Sequence, residues 1–331
     1  MINDDTRDRR FFHSFPRPKK GESEDATLDR ALSILTLMKQ VGLVLAPENV
    51  TWDVSGFSLS AKELSTLQRR ASFTELSASE LPAHSAMFGP VSLSFDIAKL
   101  RGAGAMPVIY VPQGIAGSPL SQIAAFCVHG AHHTKYVLSQ LNELKEVSDP
   151  TRLAQRLGKP VSPDCELTLG NTSAAGDVVA EYKIKISDLQ HVLQYVGFNA
   201  IPFDHSSGIL GVFLDMFYPT DNTYKNDQLG YYRQREWRLS ASNVNLYGRP
   251  IGRKLSDTEV ATLEAIDFEF WSRELTVDGV QHRRSALALV YDPMPGWDFF
   301  EKLVEEIFVP ERAVDRVHAI VGDKVAIRTQ A

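Results

Sequence analysis

Hydrophobic and polar positions are most sharply patterned between Ala71 and Gly114. Val91, Leu93 and Phe95 alternate with Ser92 and Ser94, the period of a half-buried strand. Pro107 to Pro112 is almost continuously apolar, which predicts a strand buried on both faces with Ile109 in the core. Ser72 to Glu75 predicts a third strand and Ser77 to Phe88 a short helix. Gly102 and Gly104 break the chain between the two later strands, where a turn meets no Cβ penalty.

Patterning elsewhere extends this picture. The aromatic run Phe11 to Phe15 predicts a first strand ahead of Pro16. Leu28, Leu32 and Leu35 mark one apolar face of a helix from Thr27 to Val41, with Gly42 as its cap. Residues 47–60 read as loop and Ala61 to Arg70 as a helix. Ser118-Pro119 opens a helix that runs to Lys145, and Thr151 to Leu157 adds an amphipathic turn. Residues 158–176 have the Pro, Gly, Ser and Asp content of a surface excursion. Val178 to Ile186 alternates as a strand, 197–228 is irregular, and Tyr231 to Leu239 reads as a strand. Ser256 and Glu259 have capping-box spacing. Ala286 to Tyr291 predicts a buried strand. Asp298 to Ile307 and Glu311 to Val317 predict short helices, and Val317 to Val321 a closing strand.

Strands and helices mix without regular βα alternation. The expected fold class is therefore α+β, with a mixed or antiparallel central sheet and flanking helices. The expected organisation is a frayed polar segment over 1–10, then a single domain over 11–331 with an elaborated middle at about 145–230.

Composition narrows the setting. Hydrophobic residues make up 44% of the chain, enough for a core without staples. Cys127 and Cys165 are the only cysteines, too few for a disulfide framework, which points to the cytoplasm. No apolar run approaches the roughly 18 residues of a membrane span. A net charge of −6 argues against sequence-independent coating of DNA but leaves a local nucleic-acid contact open.

Three segments carry candidate chemistry. His129, His132 and His133 share one helical face, yet the HGAHH segment holds no Glu and no further ligand lies near in sequence, so no metal site is expected. Pro163-Asp164 with Glu181-Tyr182-Lys183 spells PD…ExK, the carboxylate pattern of metal-dependent nucleases. The solvent face of an alternating strand accounts for the same residues. In Gln234-Arg235-Glu236-Trp237-Arg238, a strand sets Gln234, Glu236 and Arg238 on one face and Trp237 on the other. A carboxylate held beside an arginine suits a sugar hydroxyl or an oxocarbenium cation. An ordinary Glu–Arg ion pair at a sheet edge explains it equally well.

Several of these motifs recur together: FFHSF at 11–15, SFTE at 72–75, FGPVSLSF at 88–95, PVIYVP at 107–112 and REWRL at 235–239. As a set the chain resembles the AbiGi family, abortive-infection proteins of bacterial phage resistance described as antitoxins. That resemblance implies a cognate toxin, or a phage or host protein, as partner. The layout is also similar, at a distance, to the ADP-ribosyltransferase superfamily, which implies NAD as cofactor if the chain is an enzyme acting on protein or nucleic acid. Carried over, His13 would contact the adenosine-side ribose or the nicotinamide amide. Ser72, Phe73 and Thr74 would line the pocket together with Arg238. Glu236 would hold the nicotinamide ribose, with Gln234 completing a Q-x-E form. Tyr218 to Gly230 would recognise the acceptor. On this resemblance His13 and Glu236 are expected to face each other across one cleft.

Overall fold

The computed structural model describes residues 9–53, 63–112, 119–172, 178–196, 203–220, 235–241, 245–246, 249–277, 279–294 and 296–330. The chain divides into two compact units, one formed by Met1–His129 with Val212–Ala331 and the other by Gly130–Gly211.

The first unit opens with β1 (Arg10–Phe15), α1 (Glu24–Val41), β2 (Val44–Asp53), β3 (Glu63–Leu76), α2 (Leu81–Phe88), β4 (Val91–Phe95), α3 (Ile97–Gly102), β5 (Met106–Pro107) and β6 (Ile109–Pro112). Next come α4 (Pro119–Ser148), α5 (Pro150–Leu157), β7 (Glu166–Thr172), β8 (Val178–Lys185), α6 (Ile186–Tyr195) and α7 (Phe203–Leu214). The chain then forms β9 (Phe217–Thr220), β10 (Glu236–Ser240), β11 (Asn245–Leu246), β12 (Arg249–Pro250), β13 (Gly252–Lys254), β14 (Glu274–Val277), β15 (Val280–Arg283), β16 (Leu289–Tyr291), β17 (Val304–Val309) and β18 (Ala326–Thr329). Among these last strands lie short helices, including Asp257–Ile266, Phe268–Trp271 and Val314–Val321.

The large sheet runs β13-β16-β2-β3-β1-β4-β17-β18, with β10 and then β5 joined to β3 off this path. It is mixed: the pairing of β17 with β18 is parallel and the other ladders are antiparallel. This agrees with the α+β expectation. Strand β3 organises the sheet because it serves two edges along its length. Arg70 pairs with both Ala46 and Ser240, and Thr74 with both Phe12 and Glu236. So β2 and β1 share one edge of β3, and β10 takes the other. Between the ends of β2 and β1, residues 71–73 face an interval in the ladder.

One face of the sheet is apolar. Phe11, Phe15, Phe73, Leu93 and Phe95 meet Leu28, Leu32 and Leu35 of α1 in a continuous core. Helix α1 forms where its capping signals stand: Ser23 accepts from the Ala26 amide, and Gly42, at φ 101°, closes onto the Met38 carbonyl. Fully burying a side chain such as Leu35 contributes about 1.5–3 kcal/mol. Gly89 has a steric reason as well, since a Cβ there would lie 2.2 Å from the Phe15 carbonyl carbon. On the opposite face of β4, Ser92 and Ser94 are buried but paired: Ser92 with Ser14 at 2.7 Å and Ser85 at 3.1 Å, and Ser94 with the Glu306 carbonyl at 3.3 Å.

Several local expectations are corrected. Residues 63–70 are strand, not helix, because β2 pairs with them along their whole length, while β10 joins the other edge only from Arg70 onward; 47–53 belongs to β2 rather than to a loop. Part of the excursion at 158–176 is β7, paired with β8. The irregular stretch contains α7 and β9. Residues 304–309 extend as β17 after a single helical turn. Val317–Val321 is helical, with Val317 and Val321 at i, i+4 spacing in the core. Ile109 is exposed, and it is Tyr110 and Val111 that are buried. The compact unit Gly130–Gly211 has a core that joins Leu189 and Leu193 to Leu138, Leu141, Leu144, Leu167 and Ile184.

Candidate functional site

Strand β10 has two unlike faces. Trp237 pairs with Phe73 and packs on Phe11 with ring centroids 5.0 Å apart, on the core side. Glu236 and Arg238 pair with Thr74 and Ser72 on the other side. There Glu236 is the centre of a polar cluster drawn from several strands. Ser72 Oγ donates to Glu236 Oε1 at 2.6 Å, Arg238 Nε to the same oxygen at 2.9 Å, and the Tyr110 hydroxyl to Oε2 at 2.6 Å. The Glu236 side chain is 14% exposed and that of Arg238 only 2%.

A second layer fixes Arg238. Its Nη1 donates to the Asp215 carbonyl at 3.4 Å and to Gln68 Oε1 at 3.5 Å. The Tyr218 ring lies 4.8 Å from the Arg238 guanidinium carbon and 4.9 Å from that of Arg70, so two cations share one aromatic ring. Arg70 in turn pairs with Glu48 and Gln68.

Burial pushes the Glu236 carboxyl up, but the Arg238 charge and the hydrogen bonds from Ser72, Tyr110 and Arg238 outweigh it and hold the group below its ordinary value. Glu236 is therefore ionised at neutral pH. The Tyr110 hydroxyl is pushed up by burial and by the Glu236 charge, so it stays protonated and donates. Burial and nearby Arg70 lower Arg238, which remains charged because guanidinium starts so high. Each carboxylate oxygen has two acceptor positions. Ser72 and Arg238 take both on Oε1, while Tyr110 takes one on Oε2.

His13 stands on the other face. It pairs with Leu93, between Phe11 and Phe15, and its ring lies 5.5 Å from that of Phe15 and 5.6 Å from that of Phe73. Its Nδ1 lies 2.8 Å from the Ser72 carbonyl, in the interval between β1 and β2. A carbonyl only accepts, so Nδ1 carries the proton. Burial keeps the imidazole below its ordinary pKa despite that bond. His84 on α2 is lowered too, to about 4, by burial and by the neighbouring His13 and Arg17.

The expected cleft with His13 and Glu236 on its two sides is thus not formed. The two residues point to opposite faces, and Ser72 lies between them, its carbonyl meeting one and its hydroxyl the other. Phe73 cannot line a pocket either, since it is fully buried against Phe95 at 5.1 Å. Ser72, Glu236 and Arg238 are brought together, and half-buried Thr74 pairs with Glu236 on the same face. Gln234 lies outside the described residues, as do 221–230 of the expected acceptor loop. Sequence reasoning missed Tyr110, Gln68 and Arg70, and it gave Tyr218 to the acceptor loop rather than to a place over the Arg238 guanidinium. The one available signal was Tyr110, the only side-chain hydroxyl in the run PVIYVP.

Arg235 enters β10 with φ 43°, the left-handed region that a non-glycine residue seldom adopts. Its Nη2 donates to Glu80 Oε1 at 2.7 Å and its carbonyl accepts from the Glu75 amide at 3.2 Å. Both contacts hold the turn that aims Glu236.

Among the described residues no group of three or more His, Cys, Asp or Glu is placed to hold a metal ion. The PD…ExK carboxylates stand apart: Glu181 pairs with Gly170, four residues along β7 from Glu166, while Asp164 precedes that strand. At 3.3–3.4 Å per residue the strand segment alone separates them by roughly 13 Å. No helix of the described residues is long and apolar enough to cross a membrane. No protein-family model matches the chain, and no curated protein or solved structure was found to match it.

Proposed function

We propose that the chain is a cytoplasmic component of a bacterial abortive-infection system and acts by binding a cognate toxin, or a phage or host protein, on a transferase-like scaffold. The motifs shared with the AbiGi family supply the biological setting of this reading. The observation that carries the binding role is the arrangement around Glu236: three donors of the chain itself hold its carboxylate, and His13 is turned to the opposite face. A carboxylate held by three donors of its own chain, with His13 facing away from it, makes a rigid support rather than one of a pair of groups poised on one substrate. The test is phage protection in a bacterial host carrying the gene with its neighbours. Wild type should lower plaquing, and Glu236→Gln should still protect wherever the variant accumulates as folded protein. Undiminished plaquing with wild type would remove the defence role.

A second reading, NAD-dependent ADP-ribosyl transfer to protein or nucleic acid, loses the His13–Glu236 cleft it was tied to and stands only in a form in which Glu236 acts without His13. Glu236 is a charged, desolvated carboxylate with an acceptor position on Oε2 beyond the bond from Tyr110. In this reading the ribose C1–nicotinamide bond breaks, nicotinamide leaves with the electron pair, and an acceptor nucleophile attacks C1. Glu236 would steady the cationic ribose between those events. Wild type would release nicotinamide from NAD, and Glu236→Gln would lower that rate on the order of 10²–10³-fold. Wild type that leaves NAD intact, with candidate acceptors present, rules the reading out.

A further inference from the structure

Strands β7 and β8 pair only with each other among the described residues. A two-stranded ribbon is marginal alone, and an open edge is a ready site for another strand. In β8 the side chains of Val178, Val179 and Tyr182 are exposed, Tyr182 by 65%, whereas Ile184 anchors the strand to the core of its unit.

The polarity of the free edge follows from the ladder. The Ile186 amide donates to the Cys165 carbonyl at 3.0 Å, in register with the ribbon. Even-numbered residues of β8 therefore turn their backbone groups toward β7. From Glu181 to Lys185, the odd-numbered residues turn theirs outward.

We propose that two copies of this chain associate through β8, pairing antiparallel about a twofold axis at Tyr182 to make a four-stranded sheet. The charges choose both the occupant and the register. With the axis at Tyr182, Glu181 of each copy stands opposite Lys183 of the other, and these are outward-facing residues able to exchange backbone hydrogen bonds. An axis at Glu181 would oppose that carboxylate to itself, and an axis at Lys183 would do the same to the ammonium; like charges directly opposite are unfavourable. At the Tyr182 axis the two tyrosines become a close cross-strand pair and cover each other's exposed rings.

The test measures self-association of the full chain by analytical ultracentrifugation over a wide concentration range. Wild type should show a concentration-dependent dimer. Glu181→Lys sets lysine against lysine twice and should weaken association by at least about tenfold. Adding Lys183→Glu restores opposite charges in mirrored order and should return affinity to within about threefold of wild type. Tyr182→Ser should also weaken the dimer, without altering charge. These side chains are exposed, so unchanged melting of the variants serves as the folding control. A wild-type monomer at every concentration overturns the proposal. So does a dimer indifferent to Glu181→Lys, or a double variant that fails to recover.

Discussion

Two clusters of partly or wholly buried charge show what such groups do in this fold. In one, Arg30 of α1 grips Glu22 with two nitrogens, at 3.0 and 2.6 Å, and reaches Asp267 at 3.0 Å. Lys19 also pairs with Asp267 at 2.6 Å, and Asp267 caps the short helix Phe268–Trp271. Its carboxylates are answered by cations and backbone amides, so the cluster pins a loop and two helices together. Around Glu236 there is one contacting cation, Arg238, and the other donors are the neutral hydroxyls of Ser72 and Tyr110. The first cluster is redundant, since Asp267 keeps a partner when either cation is lost. The second is not.

The largest effect should therefore come from Arg238→Met, which leaves the Glu236 charge buried without its ion-pair partner. We expect a loss of about 3–5 kcal/mol in urea unfolding. Glu236→Gln combined with Arg238→Met should recover most of that loss, because a neutral pair needs no compensation. A single variant as stable as wild type would mean that water already screens the pair.

Arg30→Met should cost less, about 1–3 kcal/mol by the same measurement, because Lys19 still holds Asp267. If it cost more than Arg238→Met, the ranking of the two clusters would be inverted.

Effects confined to part of the pH range are resolved by titration. Hydrogen bonding to Arg30, against the opposing effect of burial, lowers Glu22 from 4.5 to about 2. The unfolded chain then takes up the proton first as the medium is acidified. Stability from Glu22 is present above about 4.5 and is lost as pH falls toward 2. Glu22→Gln should flatten that part of the profile. His84, lowered from 6.5 to about 4, is neutral in the folded chain where the unfolded chain is already protonated. Its contribution falls in a higher window, with stability declining as pH drops from 6.5 to 4. Urea midpoints followed against pH should show His84→Gln reducing the upper slope, to which buried His13 also contributes, and leaving the lower one.

Elements whose signals are local were legible in the sequence. The Leu28, Leu32 and Leu35 face of α1, the β4 strand and the Ser256–Glu259 capping box stand where the residues imply, although β4 is buried on both faces and not on one. Each rests on contacts a few positions apart, or on a period that sets apolar side chains on one face and hydroxyls on the other. The grouping of Ser72 with Glu236 and Arg238 was legible in part, because the sequence marked both strands. That Tyr110 belongs with them was not.

What the sequence determined by itself was the identity of the strands and helices with strong periods, and the polar and apolar faces of β10. Tertiary structure decided the rest, because pairing partners are set by distant segments. Residues 63–70 carry leucines at a spacing that fits a helix, yet become strand because β2, a distant segment, pairs with every one of them. Val317–Val321 has the β-branched content of a strand, yet becomes helix because Val317 and Val321 fill one side of the core against α1. His13 and Glu236 each lie on a strand as expected, but register assigned them to opposite faces, and a shift of one residue would have reversed that outcome.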